Sequence, residues 1–138
     1  MNVFVLSTGR CGSTTFVKAA SHISNFTASH ESRRHVLGRG HLNYPENHIE
    51  SDNRLSWFLG RLYDKYGDRA FYVHLKRDRM ATASSYAGRY RSSAMMSAYA
   101  NGMHLGLAPD TNPLEVALDY CDTVNHNIAH FIKDRSSR

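Results

Sequence analysis

Residues 3 to 16 read VFVLSTGRCGSTTF, an apolar run that passes directly into a turn holding two glycines, an arginine and several hydroxyl side chains. A strand that ends in a glycine-rich turn and restarts as a helix leaves backbone N–H groups at the helix N-terminus, where the helix dipole also favours negative charge. The expected guest is an anion. Arg10 adds a planar cationic fork suited to phosphate, and Ser13, Thr14 and Thr15 add hydroxyl donors. The plain alternative is an ordinary strand-to-helix turn with Ser13 as its cap.

The turn fails the test for a nucleoside-triphosphate loop. That pattern is Gly, four residues, Gly, Lys, then Ser or Thr, whereas Gly9 and Gly12 stand closer together and no lysine follows Gly12. The chemistry left is a phosphate held without the lysine and without a metal.

The chain has 138 residues, 41% of them hydrophobic, which suits one domain over 1–138 with a sizeable core. Strands are expected at 2–7, 25–29, 47–51 and 70–76. A helix over 13–23 would present Phe16, Ala19, Ala20 and Ile23 to a core, and a helix over 52–67 would start at Asp52 and end at Gly67. Helical sequence resumes from 80 to 101. The last helix is the best signalled: Asn112 suits its cap, Pro113 its first turn, and Leu114, Ala117, Leu118, Cys121, Val124, Ile128 and Phe131 trace one apolar stripe. Between the second and third strands lies a polar stretch, HESRRHVLGRGHLNYPENH, which reads as a long loop. Trp57, Phe58, Tyr63, Tyr66, Phe71 and Tyr72 are expected to be mostly core.

Strands alternating with helices imply an α/β fold, a three-layer parallel sheet flanked by helices on both faces. Ligands of such sheets sit beyond the carboxyl ends of the strands. That rule gathers the turn at 8–14, the segment 30–35, residues 50–53 and the turn at 77–85 around one crevice.

A formal net charge of +5 and nine histidines favour phosphorylated or polyanionic partners, and would equally suit nucleic acid. Cys11 and Cys121 have no zinc spacing and are too few for a disulfide framework, which points to a reducing, cytoplasmic setting. His30, His35, His41 and His48 also lack zinc spacing, so no metal is expected. No basic segment precedes the first apolar run, and no run approaches membrane-spanning length, so neither a signal peptide nor a membrane partner is expected. A sheet edge or an uncovered apolar helix face would allow a homo-oligomer.

The turn after the fourth strand reads HLKRDRMATASSYAGRY. Arg77 stands just past the strand end, with Ser84 and Ser85 on the helix that follows, so an arginine and a hydroxyl can converge on a second anion. The bland reading pairs Arg77 with Asp78 alone. Together the two motifs resemble the sulfotransferases that use 3′-phosphoadenosine 5′-phosphosulfate (PAPS), a family of P-loop NTPase-like topology. Its first loop, of the type Arg-Ser/Thr-Gly-Ser/Thr-Thr, corresponds here to Arg10, Cys11, Gly12, Ser13 and Thr14. The resemblance assigns that loop, with Thr15, to the 5′-phosphosulfate. The family's second motif, an arginine followed eight positions later by a serine, corresponds to Arg77 and Ser85, with Tyr86 after it, and is implied to bind the 3′-phosphate. The segment ASHES looks like a His-Glu element of bacterial carbohydrate-type members. Arginine at position 10, where cytosolic members carry lysine, points the same way. Cys11 replaces a small hydroxyl residue. The resemblance covers residues 2 to about 90 well, and family members continue further, so the chain is expected to be a C-terminally short form.

What the resemblance implies is transfer of a sulfuryl group from PAPS to a hydroxyl acceptor, expected to be a carbohydrate, with no metal. Arg10 would stabilise the departing phosphate, and the general base would be Glu31, with His30 and Asp52 as the other candidates and helix capping as the plain reading of Asp52. Arg33, Arg34 and Arg39 would face an acidic acceptor or solvent. The competing readings are a non-catalytic nucleotide-binding module of the same fold and, on YAGRYR at 86–91 alone, an RNA-binding protein.

Overall fold

The computed structural model describes residues 1–133 and 135. Four strands, β1 (Asn2–Leu6), β2 (Thr27–His30), β3 (His48–Ser51) and β4 (Ala70–His74), form one all-parallel sheet in the order β2-β3-β1-β4. The helices are α1 (Ser13–Ala20), α2 (Leu59–Tyr66), α3 (Arg79–Ala87), α4 (Ala94–Ser97) and α5 (Pro113–Lys133).

The pleat of β1 sends alternate side chains to opposite faces. Phe4 and Leu6 join the larger core, where α2 contributes Leu62, α3 Ala83 and Tyr86, and α5 Tyr120, Cys121, Val124 and Ile128. Val5 faces the other way, with Ile49 of β3 and Ala20 of α1, backed by Val3, Phe16 and Val73. Helices therefore cover both faces, as the alternation of elements implies. Each fully buried Leu or Ile in these layers contributes about 1.5–3 kcal/mol. Phe4 anchors an aromatic cluster, its ring centroid 4.8 Å from Tyr66 and 5.5 Å from Tyr44. The stripe of α5 is buried at Ala117, Cys121, Val124, Ile128 and Phe131 and partly buried at Leu114 and Leu118, and the Asn112 carboxamide oxygen accepts from the Leu114 N–H at 2.9 Å.

Three expected helices differ in extent. The helix over 13–23 stops at Ala20: the Ser21 hydroxyl donates to the Lys18 carbonyl, and the backbone tightens into i−3 bonds from His22 and Ile23. Ile23, past the helix end, is exposed, and so is Ala19 on the outer face of α1, where both were expected in the core. The helix over 52–67 is split into a 3₁₀ turn at Asn53–Trp57 and α2, with Phe58 out of helical conformation between them. Asp52 drives the tight turn by accepting from the Arg54 backbone N–H at 2.9 Å. The helix over 80–101 is also broken. α3 is capped at Gly88, Ser93 starts α4 by accepting from Met96 N–H at 3.2 Å, and a π-helical turn covers Ala98–Met103. Inside the long loop a 3₁₀ turn at Gly38–Leu42 buries His41 and Leu42. Two aromatics leave the core expected of them: Phe71 on the edge strand is 58% exposed and Trp57 is 37% exposed. Among the described residues no helix is long and apolar enough to cross a membrane.

Candidate functional site

Past β1 the backbone turns through the left-handed region at Gly9 (φ 78°), Arg10 (φ 56°) and Gly12 (φ 90°). The turn is held from beneath. The Thr8 carbonyl accepts from the Tyr86 hydroxyl at 2.5 Å and the Tyr120 hydroxyl at 2.7 Å, and the Gly9 N–H donates to Ser7 Oγ at 3.1 Å. Burial pushes the Tyr86 phenol up to about 12 and that of Tyr120 higher still, so both remain neutral donors. Gly9 is required twice over: its φ is positive, and a Cβ there would meet the Tyr86 oxygen at 2.5 Å.

Gly12, not Ser13, is the N-cap of α1, and no side chain caps that helix. The capping alternative for Ser13 is thereby overturned. Its hydroxyl instead lies 3.1 Å from His30 Nε2, across the carboxyl end of the sheet. A glycine cap with a left-handed backbone supplies no oxygen for the first-turn amides, which remain available to an anion.

The second motif comes to the same place. Arg77 Nη1 donates to the Arg10 carbonyl at 3.2 Å, and Arg10 Nε donates to Ser85 Oγ at 3.1 Å. Asp78 is occupied elsewhere: it caps α3 by accepting from Ala81 N–H at 2.8 Å. A cleft of about 340 Å³ at this sheet edge is lined by Gly9, Arg10, Gly12, Ser13, Thr14, Thr15 and Arg77, together with His30, Glu31, Asn53 and Tyr86. Ser85 reaches it through Arg10. Cys11 is buried and does not line it.

Glu31 follows β2 with a positive φ of 50°, uncommon for a residue with a side chain. Its carboxylate lies 4.0 Å from His30 Nε2. The strand end is fixed from both sides: Glu31 N–H donates to the Ser51 carbonyl at 3.1 Å, and the next amide, Ser32 N–H, donates to Glu50 Oε1 at 2.7 Å. Glu50 is fully buried and also meets Ser32 Oγ at 2.6 Å and His48 Nε2 at 2.8 Å. Its charge is matched by hydrogen bonds on both oxygens, the condition for burying a carboxylate.

Asp52 is also fully buried, and Arg54 binds both its oxygens, at 2.9 and 2.5 Å. It does not line the cleft. Arg33 lies over the Tyr44 ring at 5.6 Å, outside the cleft. Sequence reading brought 50–53 to the crevice but named neither Asn53 nor Glu50 as a site residue. Asn53 had a positional signal, since it stands just past a strand end, whereas the burial of Glu50 had none because a strand of His-Ile-Glu-Ser does not announce that all four residues are buried. Among the described residues no group of three or more His, Cys, Asp or Glu is arranged to hold a metal ion. No protein-family model, no curated protein and no solved structure matches this chain.

Proposed function

We propose that this chain is a sulfotransferase of P-loop-like topology that takes PAPS as sulfuryl donor and a hydroxyl compound, expected to be a carbohydrate, as acceptor. One observation carries the reading: two arginines from distant motifs, Arg10 and Arg77, line the same cleft as the uncapped N-terminus of α1, and Ser85 is hydrogen-bonded to the first of them. Two sets of anion donors side by side suit a nucleotide with phosphate at both its 3′ and 5′ positions. The helix end with Arg10 would hold the 5′ group, and Arg77 with Ser85 the 3′ phosphate.

In this reading Arg10 and the amides after Gly12 stabilise the charge that builds on the leaving phosphate. The acceptor oxygen attacks sulfur in line, the bond from sulfur to the 5′-phosphate oxygen breaks, and its electron pair stays on the phosphate. Glu31 takes the proton from the acceptor hydroxyl, with His30 beside it. Asp52 is set aside as base because Arg54 occupies both its oxygens.

The test is calorimetric titration with adenosine 3′,5′-bisphosphate, with ATP and magnesium as control. Saturable binding of the bisphosphate and none of the control supports the reading, and the reverse overturns it. Bisphosphate binding without turnover of any hydroxyl acceptor would mark a nucleotide-binding module instead.

A further inference from the structure

Glu31 is a conformational exception in the cleft wall. Neighbouring side chains of an extended strand point to opposite faces of the sheet, so a Glu31 that simply continued β2 would diverge from His30. Its backbone instead turns left-handed, with a φ of 50°, and both side chains line the anion cleft, Glu31 Oε1 lying 4.0 Å from His30 Nε2. A residue with a Cβ keeps that conformation only where its surroundings over-determine it.

The restraints reach the residue from every side. The Glu31 N–H donates to the Ser51 carbonyl at 3.1 Å, and the Glu31 carbonyl accepts from the Arg34 N–H at 3.3 Å. Glu50 takes both donors of the next residue, the Ser32 N–H on Oε1 at 2.7 Å and the Ser32 hydroxyl on Oε2 at 2.6 Å. The peptides before and after the Glu31 Cα are thereby pinned. Glu50 is itself held, since His48 Nε2 donates to Oε2 at 2.8 Å and the other nitrogen of that ring lies 2.6 Å from Thr27 Oγ1.

Stability does not account for a carboxylate at this position. Glu50 is fully buried in β3, level with Phe4 of β1 and Ser29 of β2. Buried ionic groups are often matched or bettered by apolar residues of similar size, even when their hydrogen bonds are complete. What an apolar residue cannot supply here is an acceptor for the two Ser32 donors.

We infer that Glu50 is a positioning residue: acting through Ser32, it holds Glu31 in the left-handed conformation that sets its carboxylate beside His30 in the cleft wall. The role of Glu31 as base rests on the sulfotransferase reading proposed above, whereas the hold of Glu50 on its conformation does not.

Two variants of the full chain test this. Glu50→Met keeps length and bulk and removes the acceptor, and Ser32→Ala removes one of the two bonds at an exposed residue. A positive φ brings a residue's own N–H and Hα close together, so Glu31 should give a strong intraresidue nuclear Overhauser effect in the native chain and a weaker one in both variants. Turnover under saturating donor and acceptor should fall about 100-fold in Glu50→Met, the effect of a misplaced catalytic group, with adenosine 3′,5′-bisphosphate affinity unchanged. In a Glu31→Gln background the same change should cause no further loss, because the group it positions is already gone. A weak Glu31 signal in the native chain, a signal unchanged in both variants, or a turnover loss that persists in full in the Glu31→Gln background would each overturn the inference. A native chain with no transfer activity sinks the sulfotransferase reading instead, and the Glu31 signal then decides for Glu50 alone. Should Glu50→Met fail to fold by circular dichroism, Ser32→Ala is read in the same two ways.

Discussion

Arg10 Nε donates to Ser85 Oγ at 3.1 Å, joining the turn after β1 to a helix 75 residues further along the chain. The bond aligns a guanidinium that would otherwise swing freely from an exposed residue, and it makes one cleft of two motifs. Arg77 completes the link through the Arg10 carbonyl.

Replacing Arg77 by Ala should weaken adenosine 3′,5′-bisphosphate about 10- to 100-fold, the loss of a charge-assisted hydrogen bond to phosphate. Ser85→Ala should cost less, since Ser85 acts partly by orienting Arg10. Calorimetry on both variants measures this, and an unchanged affinity in Arg77→Ala removes the second anion site.

Glu31→Gln keeps size and backbone geometry while removing the proton acceptor. Nucleotide affinity should be retained and turnover reduced about 10²- to 10⁴-fold, as for loss of a general base. Radiolabelled sulfuryl transfer under saturating donor is the measurement. Full turnover in this variant would move the role to His30.

Gly9→Ala should destabilise the fold by about 3 kcal/mol, combining a positive φ with a clash. The nearest obstructing atom is the Tyr86 hydroxyl oxygen at 2.5 Å, with Asn53 Nδ2 next at 2.9 Å. Tyr86→Phe removes that atom, so urea unfolding should show the double variant less destabilised than the sum of the two single changes.

Asp52→Asn should lower stability by about 2–3 kcal/mol, discounted because the Arg54 end of the pair is partly exposed, yet leave nucleotide affinity unchanged. A carboxylate with both oxygens held by Arg54 belongs to the framework of the turn. Chemical denaturation and bisphosphate titration on one preparation separate the two effects.

His74 gives the fold an acid-sensitive limb. Burial lowers its pKa from the ordinary 6.5, a neighbouring Lys76 lowers it further, and the hydrogen bond to Asn125 opposes both. Between 6.5 and the lower folded value the unfolded chain binds more protons, so stability falls as pH drops through that window and levels off below it. Replacing His74 by Gln should flatten this limb in urea midpoints measured from pH 7 to pH 5, and an equally steep limb in the variant would refute the assignment.

Much of this arrangement was legible before any coordinates. Apolar runs near a glycine located the first and fourth strands, and short, more polar stretches the second and third, all to within about two residues, the accuracy local pattern allows. The strand-end rule brought residues 8–14, 30–35, 50–53 and 77–85 to one edge, and the cleft draws all of its lining but Thr15 and Tyr86 from those segments. Helix continuity was less legible. Leu55, Phe58, Leu59 and Leu62 satisfy a helical period, yet Asp52 and Phe58 divide the segment. Competition from a short side chain for the backbone decides such breaks, and periodicity does not record it.

The amino-acid order by itself determined the alternation of strand and helix, the left-handed glycine turn after β1 and the spacing of Arg77 and Ser85, because each depends on neighbours within a few residues. Only the tertiary structure decided that Glu50 is buried beneath the Glu31 strand end, that Thr8 is held by Tyr86 and Tyr120, that Arg10 meets Ser85, and that His41 Nε2 is buried without a partner. A side chain's partner is chosen by what folding brings within about 3 Å, and those groups come from anywhere along the chain.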